Sequence, residues 1–484
     1  MNTLLFYPQE KIKNNFKNAK NIIFFDNFGF YFYKNKKKLR IKDQDGFSLL
    51  KRISLLKKKK IKYFIRSIRN WGPIFSRDFD KLQYHELNLR LLLGRLLFII
   101  YMLEKFQVKS CIMFTALPHH IKSLIFDLAL RELNIKTVYL QNSNGLIYND
   151  DDQAVPFLSS AKFMQRDILN LKISDFKFNN SIDTYIEIIK KKYNKESSIF
   201  FKYPHKFEKF YSKNFFLSCL MSIFYYLYDY IKNHSFRKVD TFITNNNYKI
   251  FSHIHMLNEQ RKAINFYNKN KIKFSEIRKK KYILIAANYQ PEASSYPMAD
   301  DDYNHIDFIT ELSLRLKKHS ILYKEHYDSF YYYLDLIRNT KVGVFRSEDY
   351  YKQIKKLGCK IIGEETNINN KWFLNNTIPV TIGGSISIER SLLGYKSVSM
   401  GSPWYKGMPG VLTMGEFLKS INKRNLFKKD KKIAKKSRLF LINKLNNKCF
   451  NNDFNLGAVK SNFKENTKNR VESINKIINY LNKI

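Results

Sequence analysis

Residues 379–401, PVTIGGSISIERSLLGYKSVSMG, concentrate groups suited to a phosphorylated ligand. An apolar run leads into Gly383-Gly384, and a helical pattern starts at Ser385. Glycine lets backbone N–H groups come close to a ligand. The N-terminus of a helix carries partial positive charge, so phosphate is favoured there. Ser385 and Ser387 add hydroxyl donors. Glu389, about one turn into the helix, is placed to accept from ribose hydroxyls. A plain strand–glycine–helix turn with an exposed glutamate accounts for the same residues.

Other candidates also follow apolar runs. Lys324-Glu325-His326 ends the run at 320–324. A histidine at the carboxyl end of a strand can bind an anion or move a proton, though a structural role fits it equally. Gln290 and Glu292 follow the run at 282–287 and would border the same crevice. Asp300, Asp301 and Asp302 come next and read first as a solvated loop capping a helix. Trp404 and Lys406 follow the run at 397–400, where stacking on a ring, phosphate binding or core packing all fit. In the first half, Pro118-His119-His120 lies between a strand-like and a helical segment, which makes His119 a candidate base. Arg77-Asp78 is a further polar pair. The chain has no P-loop, no G-x-S-x-G and no metal-spaced His/Cys cluster.

The elements that must hold these residues alternate. In the first half, residues 21–26 read as a buried strand, 84–106 as a long helix, and 110–116, 120–133 and 136–141 as a parallel strand–helix–strand unit. From residue 281 about five short strands alternate with helices, as in a doubly wound parallel sheet. Three regions are expected. Residues 1–270 form an N-terminal α/β domain, whose stretch at 151–270 is rich in Lys and aromatics and hard to read. Residues 271–425 form a second α/β domain, and residues 426–484 a Lys/Asn-rich helical tail. Residues 215–233, FFLSCLMSIFYYLYDYIKN, suit an interfacial helix flanked by lysines; a core helix between the domains is the favoured expectation.

The net charge is +44, from 86 basic and 42 acidic residues, and it attracts polyanions such as anionic lipid, nucleic acid or a phosphorylated substrate. Lys, Asn and Ile are also what AT-rich codons supply, and the charge is spread along the chain, so no nucleic-acid partner is expected. Cys111, Cys219, Cys359 and Cys449 are far apart, which suits a reducing cytoplasm and argues against both zinc and a disulfide framework. Residues 1–10 lack the apolar run of a signal peptide, and no stretch reaches the ~18 apolar residues of a membrane span. The expectation is a cytoplasmic protein, peripheral at most to the inner face of the membrane.

Taken in order, QPEAS, KEH, Phe345-Arg346-Ser347, T-I-G-G-S-x-S-x-E and PWYKGMPG resemble the capsule polysaccharide biosynthesis family, which includes Kdo transferases and related surface-carbohydrate proteins. Upstream, FTALPHH and RNWGPIFSRDF resemble its N-terminal segments. Two positions depart from its pattern: Tyr327 follows KEH where the family has Pro, and His120 stands where it has Glu. The resemblance implies a GT-B-like architecture, two Rossmann-like domains with parallel sheets facing a cleft. It implies a metal-independent glycosyltransferase with no cofactor, its nucleotide-sugar donor (CMP-Kdo-like) being a co-substrate. The acceptor would be lipid-linked or a polysaccharide. Gly383, Gly384 and Ser385 would hold phosphate, Glu389 the ribose, and His326 and His119 would be the catalytic candidates. Two other classes remain: a non-catalytic assembly or export partner of the same fold, told apart by donor turnover, and a nucleic-acid binder, told apart by a steep salt slope.

Overall fold

The computed structural model of the chain describes residues 2–6, 15–16, 19, 21–25, 31–34, 37–40, 85–114, 121–142, 153–159, 166–167, 172, 179–192, 214–235, 250–278, 280–288, 305–316, 320–331, 346–401, 403–423, 425–448, 450–451 and 467–483. It is an α/β structure with two sheets.

The first sheet contains β1 (Asn2–Phe6), β2 (Ile22–Phe25), β3 (Tyr31–Lys34), β4 (Lys37–Arg40), β5 (Val108–Met113), β6 (Lys136–Asn142), β7 (Gln153–Ser159), β8 (Arg166–Asp167) and β15 (Phe450–Asn451). Their order is β15-β7-β6-β5-β1-β2-β3-β4, with β8 on β7. The strands from β6 to β2 are parallel, and both flanks turn antiparallel. Helix α1 (His85–Lys105) precedes β5, and α2 (Ile121–Glu132) joins β5 to β6 as the expected crossover. The surprise is β1. Residues 2–6 lie between β2 and β5 in the middle of the sheet, with Leu4, Leu5 and Phe6 fully buried.

The middle stretch supplies α3 (Asn179–Lys192), α4 (Phe215–Ser235) and α5 (Ile250–Lys269), and a short α6 (Phe274–Ile277) leads into the second unit. There β9 (Tyr282–Ala286), α7 (His305–Arg315), β10 (Ser320–Lys324), a 3-10 turn (Tyr327–Phe330), α8 (Glu348–Lys356), β11 (Lys360–Ile362), α9 (Lys371–Asn376), β12 (Thr377–Ile382), α10 (Ile386–Leu392), β13 (Ser397–Met400), β14 (Val411–Leu412) and α11 (Met414–Ser420) follow in turn. All strand pairs are parallel, in the order β11-β10-β9-β12-β13-β14. Renumbered within the sheet this is 3-2-1-4-5-6, the dinucleotide-fold order. Strands β12 and β13 are wholly buried, as strands covered on both faces must be. Local chemistry sets the helix starts: Ser347 accepts from the Tyr350 N–H at 3.2 Å, and Thr413 forms a capping box with Glu416.

The two described helices of residues 426–484 pack on both units. Helix α12 (Lys431–Leu445) packs on α10 and α3, while α13 (Thr467–Lys483) packs on the first sheet through Ile474, Ile477, Ile478 and Leu481. One apolar cluster runs from Leu4 and Phe6 through Leu392, Leu393 and Tyr395 to Leu441 and Leu445, so the units share a core. Helix α4 corrects an expectation. It packs on α5, but Phe216, Leu220, Phe224 and Leu227 face outward, so it is not a core helix wedged between domains.

Candidate functional site

In a sheet of order 3-2-1-4-5-6 the chain leaves strand 1 in opposite directions on its two sides. The connections part there, opening a crevice at the carboxyl ends of strands 1 and 4. Here those are β9 and β12. Asn288, just past β9, spans the gap. Its amide Nδ2 donates to the Ile382 carbonyl at 2.9 Å, and its Oδ1 accepts from the Ile382 N–H and the Thr381 hydroxyl, both at 3.1 Å. Its backbone N–H donates to His305 Nε2 at 3.3 Å. Burial holds the His305 imidazole neutral, well below the ordinary histidine range, with Arg346 adding to the effect.

Next to β9, the end of β10 carries a dry ion pair. Glu325 and Arg346 are 0% and 1% exposed, with Arg346 Nε 2.6 Å from Glu325 Oε2. The same oxygen accepts from Tyr323 at 2.6 Å and Tyr351 at 3.1 Å; Oε1 accepts from the His326 N–H at 2.7 Å. Arg346 also donates to the Asn288 carbonyl at 3.0 Å. Burial disfavours the guanidinium charge, but Glu325 and the surrounding phenols more than offset that, so its affinity for the proton rises. The network ties the loop before α8 to the ends of β9 and β10.

His326 is held at the rim of this network. It is half-buried and stacked on Tyr327 at 4.6 Å. Desolvation, then Lys324 and Arg346, lower its pKa to about 3, so it is a neutral imidazole at pH 7. It can donate or accept a hydrogen bond there but offers an anion no charge. Lys324, which ends β10, has its pKa lowered to about 8 by burial, despite Glu364, Glu325 and Glu365. The sheet places His326 two strands from the Gly383 turn, on the order of 10 Å.

At that turn Gly383 has φ +65°, open to glycine at no steric cost. Gly384 is fixed by space: an added Cβ would lie 2.5 Å from the Thr381 hydroxyl. Gly383 and Gly384 are half-buried and Ser385 is exposed, so solvent reaches the turn. In the first turn of α10 the Ser387 N–H is already taken by the Gly384 carbonyl at 3.2 Å.

Other expectations need correction. Ser387 is fully buried beneath the turn beside the Tyr405 phenol, because it falls on the inward face of α10; it is not available to a donor. The Glu389 carboxylate is engaged. It accepts from the Asn369 amide, from Ser385 at 3.4 Å and from Tyr185 of α3 at 3.5 Å, which makes it a bridge between the units. Trp404 packs half-buried against the shared core, and Lys406 is exposed. Between them Tyr405 donates to the Gly384 carbonyl at 2.7 Å, so PWYKG buttresses the glycine turn from below. His119, His120, Gln290, Glu292, Arg77, Asp78, Phe345 and Asp300 to Asp302 lie outside the described residues. Sequence reasoning missed Asn288, whose signal was a lone amide ending an apolar strand. It also gave Arg346 only a place in a motif. Among the described residues no three His, Cys, Asp or Glu side chains gather in a metal-holding group.

Comparison with known proteins adds little weight. No family model and no curated protein matches the chain. Among solved structures, UDP-GlcNAc 2-epimerase from Methanocaldococcus jannaschii aligns over 91% of this chain and 99% of its own, at 12% identity and a TM-score of 0.23. The same epimerase in complex with UDP-GlcNAc and UDP aligns over 99% of both chains, at 11% identity and a TM-score of 0.22. At such scores the likeness carries no argument, and the fold assignment rests on the strand order itself.

Proposed function

We propose that the chain is a glycosyltransferase whose nucleotide-sugar donor binds at the carboxyl edge of the second sheet, and whose acceptor is a surface polysaccharide or glycolipid. The observation that carries this reading is the 3-2-1-4-5-6 sheet with a solvent-reached Gly383-Gly384-Ser385 turn at its switch point. Of the motifs that resemble the capsule polysaccharide family, KEH follows β10, T-I-G-G-S-x-S-x-E runs from β12 into α10, and PWYKGMPG follows β13. In the reaction, an acceptor hydroxyl attacks the anomeric carbon as the bond from that carbon to the nucleotide phosphate breaks. The N–H groups of the turn and the Lys324 ammonium would offset charge on the leaving phosphate. A neutral His326 would hydrogen-bond the donor; with its pKa lowered to about 3 it is too weak a base for the acceptor's proton, which would pass to His119.

A second reading, a non-catalytic partner of polysaccharide assembly, is favoured by the Glu389 carboxylate, which is spent on Asn369, Ser385 and Tyr185 instead of facing a ribose.

Calorimetry with CMP-, UDP- and GDP-sugars separates the readings. One nucleotide class should bind the wild-type chain. Gly384→Val should weaken it at least about tenfold, by crowding Thr381 and the backbone approach, with circular dichroism unchanged. Donor binding without transfer or hydrolysis selects the assembly partner. No binding by any of the three classes would overturn the glycosyltransferase reading.

A further inference from the structure

Helix α4 turns a row of apolar side chains to water. Its most buried described positions are two serines: Ser218 is fully buried, Ser222 is 2% exposed, and the Ser222 hydroxyl donates to the Ser218 carbonyl at 2.7 Å, with Phe215, Leu217, Cys219 and Met221 half-buried beside them. Its outward side is apolar: Phe216 is 76% exposed, Phe224 58%, Leu220 and Leu227 49% each. A helix that faces water carries the opposite pattern. Seven large apolar side chains stand exposed among the described residues, and five of them, Ile223 included, are on this one helix. That is a patch, not scatter. Positions 216, 220, 224 and 227 follow the helical repeat, giving a straight stripe about 17 Å long at about 1.5 Å per residue.

The charge pattern indicates what covers it. Between Phe215 and Ile231 the helix has no basic residue and one acid, Asp229. The sequence before it carries Lys202, Lys206, Lys209 and Lys213 against Glu208, and the sequence from its last turn onward carries Lys232, Arg237 and Lys238. An apolar stripe rich in Phe and Leu with basic flanks at both ends matches a helix lying in a lipid headgroup layer. Among the described residues no helix is long and apolar enough to cross a membrane, so the mode is lying on the surface.

We propose that α4 is the membrane-docking element of this protein, its Phe216–Leu220–Phe224–Leu227 stripe seated at the acyl boundary of an anionic bilayer. This stripe uses none of the residues assigned to the nucleotide edge, and the proposal stands whether or not the donor reading does. The test is co-sedimentation of the full chain with vesicles of phosphatidylglycerol and phosphatidylcholine, or of phosphatidylcholine alone. Wild type should pellet with the anionic vesicles, and less so as salt is raised. Phe216→Ser with Phe224→Ser should lower the partition coefficient at least about tenfold. Leu220→Ser with Leu227→Ser, on the same stripe, should do the same. Both pairs replace side chains that touch solvent, and unchanged circular dichroism should accompany the loss. Equal partition of folded variants and wild type would overturn the proposal. So would a wild-type dimer in sedimentation velocity that these substitutions split, which would assign the stripe to a second copy of the chain.

Discussion

Each unit buries a carboxylate, and the two are used differently. In the first, Asp127 on α2 accepts from the Tyr139 phenol of β6 and pairs with Arg131 one helical turn on. All three residues lie within one strand–helix–strand unit, and Arg131 keeps 24% of its side chain in solvent. In the second, Glu325 and Arg346 are both dry, and they reach through Asn288 to a strand 94 residues away. The first pair fastens a helix to its own neighbour. The second fixes three loops around the switch point. A dry ion pair is a poor source of stability, because desolvation consumes most of its Coulomb energy. Its effect here lies in the loop geometry it fixes at the ends of β9 and β10.

The largest expected effect breaks that contrast directly. Glu325→Gln leaves Arg346 charged and dry and should cost about 3–5 kcal/mol in urea unfolding. Asp127→Asn should cost less, about 1–3 kcal/mol, because Arg131 can turn toward water. Equal losses at the two sites would erase the distinction. The paired change Glu325→Gln with Arg346→Met should restore much of the stability while leaving the edge loosely held, with weaker donor binding than wild type.

A mid-sized effect concerns pH. Lys324, at about 8, is charged at pH 7 and mostly neutral at pH 9. Donor affinity should therefore fall by up to about tenfold between those values. His326, at about 3, stays neutral from pH 5 to 7, so affinity should be flat there. A rise in affinity on acidification through pH 6 would show that the imidazole, not the lysine, supplies the charge. His326 also bears on acid stability. Its folded value lies below the unfolded value of about 6.5, so the unfolded chain binds more protons in that window. The stability is present above about 6.5 and is lost as pH falls toward 3. His326→Gln should flatten that part of the profile.

The smallest effect concerns the seam between the units. Arg438 of α12 grips Asp183 of α3 by two bonds, at 2.6 and 2.5 Å, but both side chains are about a third to a half exposed. Asp183→Asn should cost no more than about 1 kcal/mol. A larger loss would mean that this pair, and not the shared apolar core, holds the units together.

Local pattern by itself determined most of the second sheet. Runs such as YILI and the ILY of SILYK are apolar on both faces, as a strand between two layers requires, and SVSM alternates Ser with Val and Met, so β9, β10 and β13 were legible within a residue. The glycine turn was legible for the same reason: its residue types are dictated by backbone geometry at that spot. Tertiary structure decided the rest. The five residues of β1 are too short a signal to claim the middle of a sheet, and they gain it only by pairing with strands about 20 and 105 residues on. Asn288, an isolated amide in the sequence, matters because Ile382 lies beside it in space. Glu389 reads as a ribose ligand until Tyr185 and Asn369 occupy its oxygens. The outward face of α4 cannot be read from its composition, because an apolar helix looks the same whether protein or lipid covers it. Period and turn chemistry act over a few residues, whereas partners for a hydrogen bond or an apolar face are chosen across the whole chain.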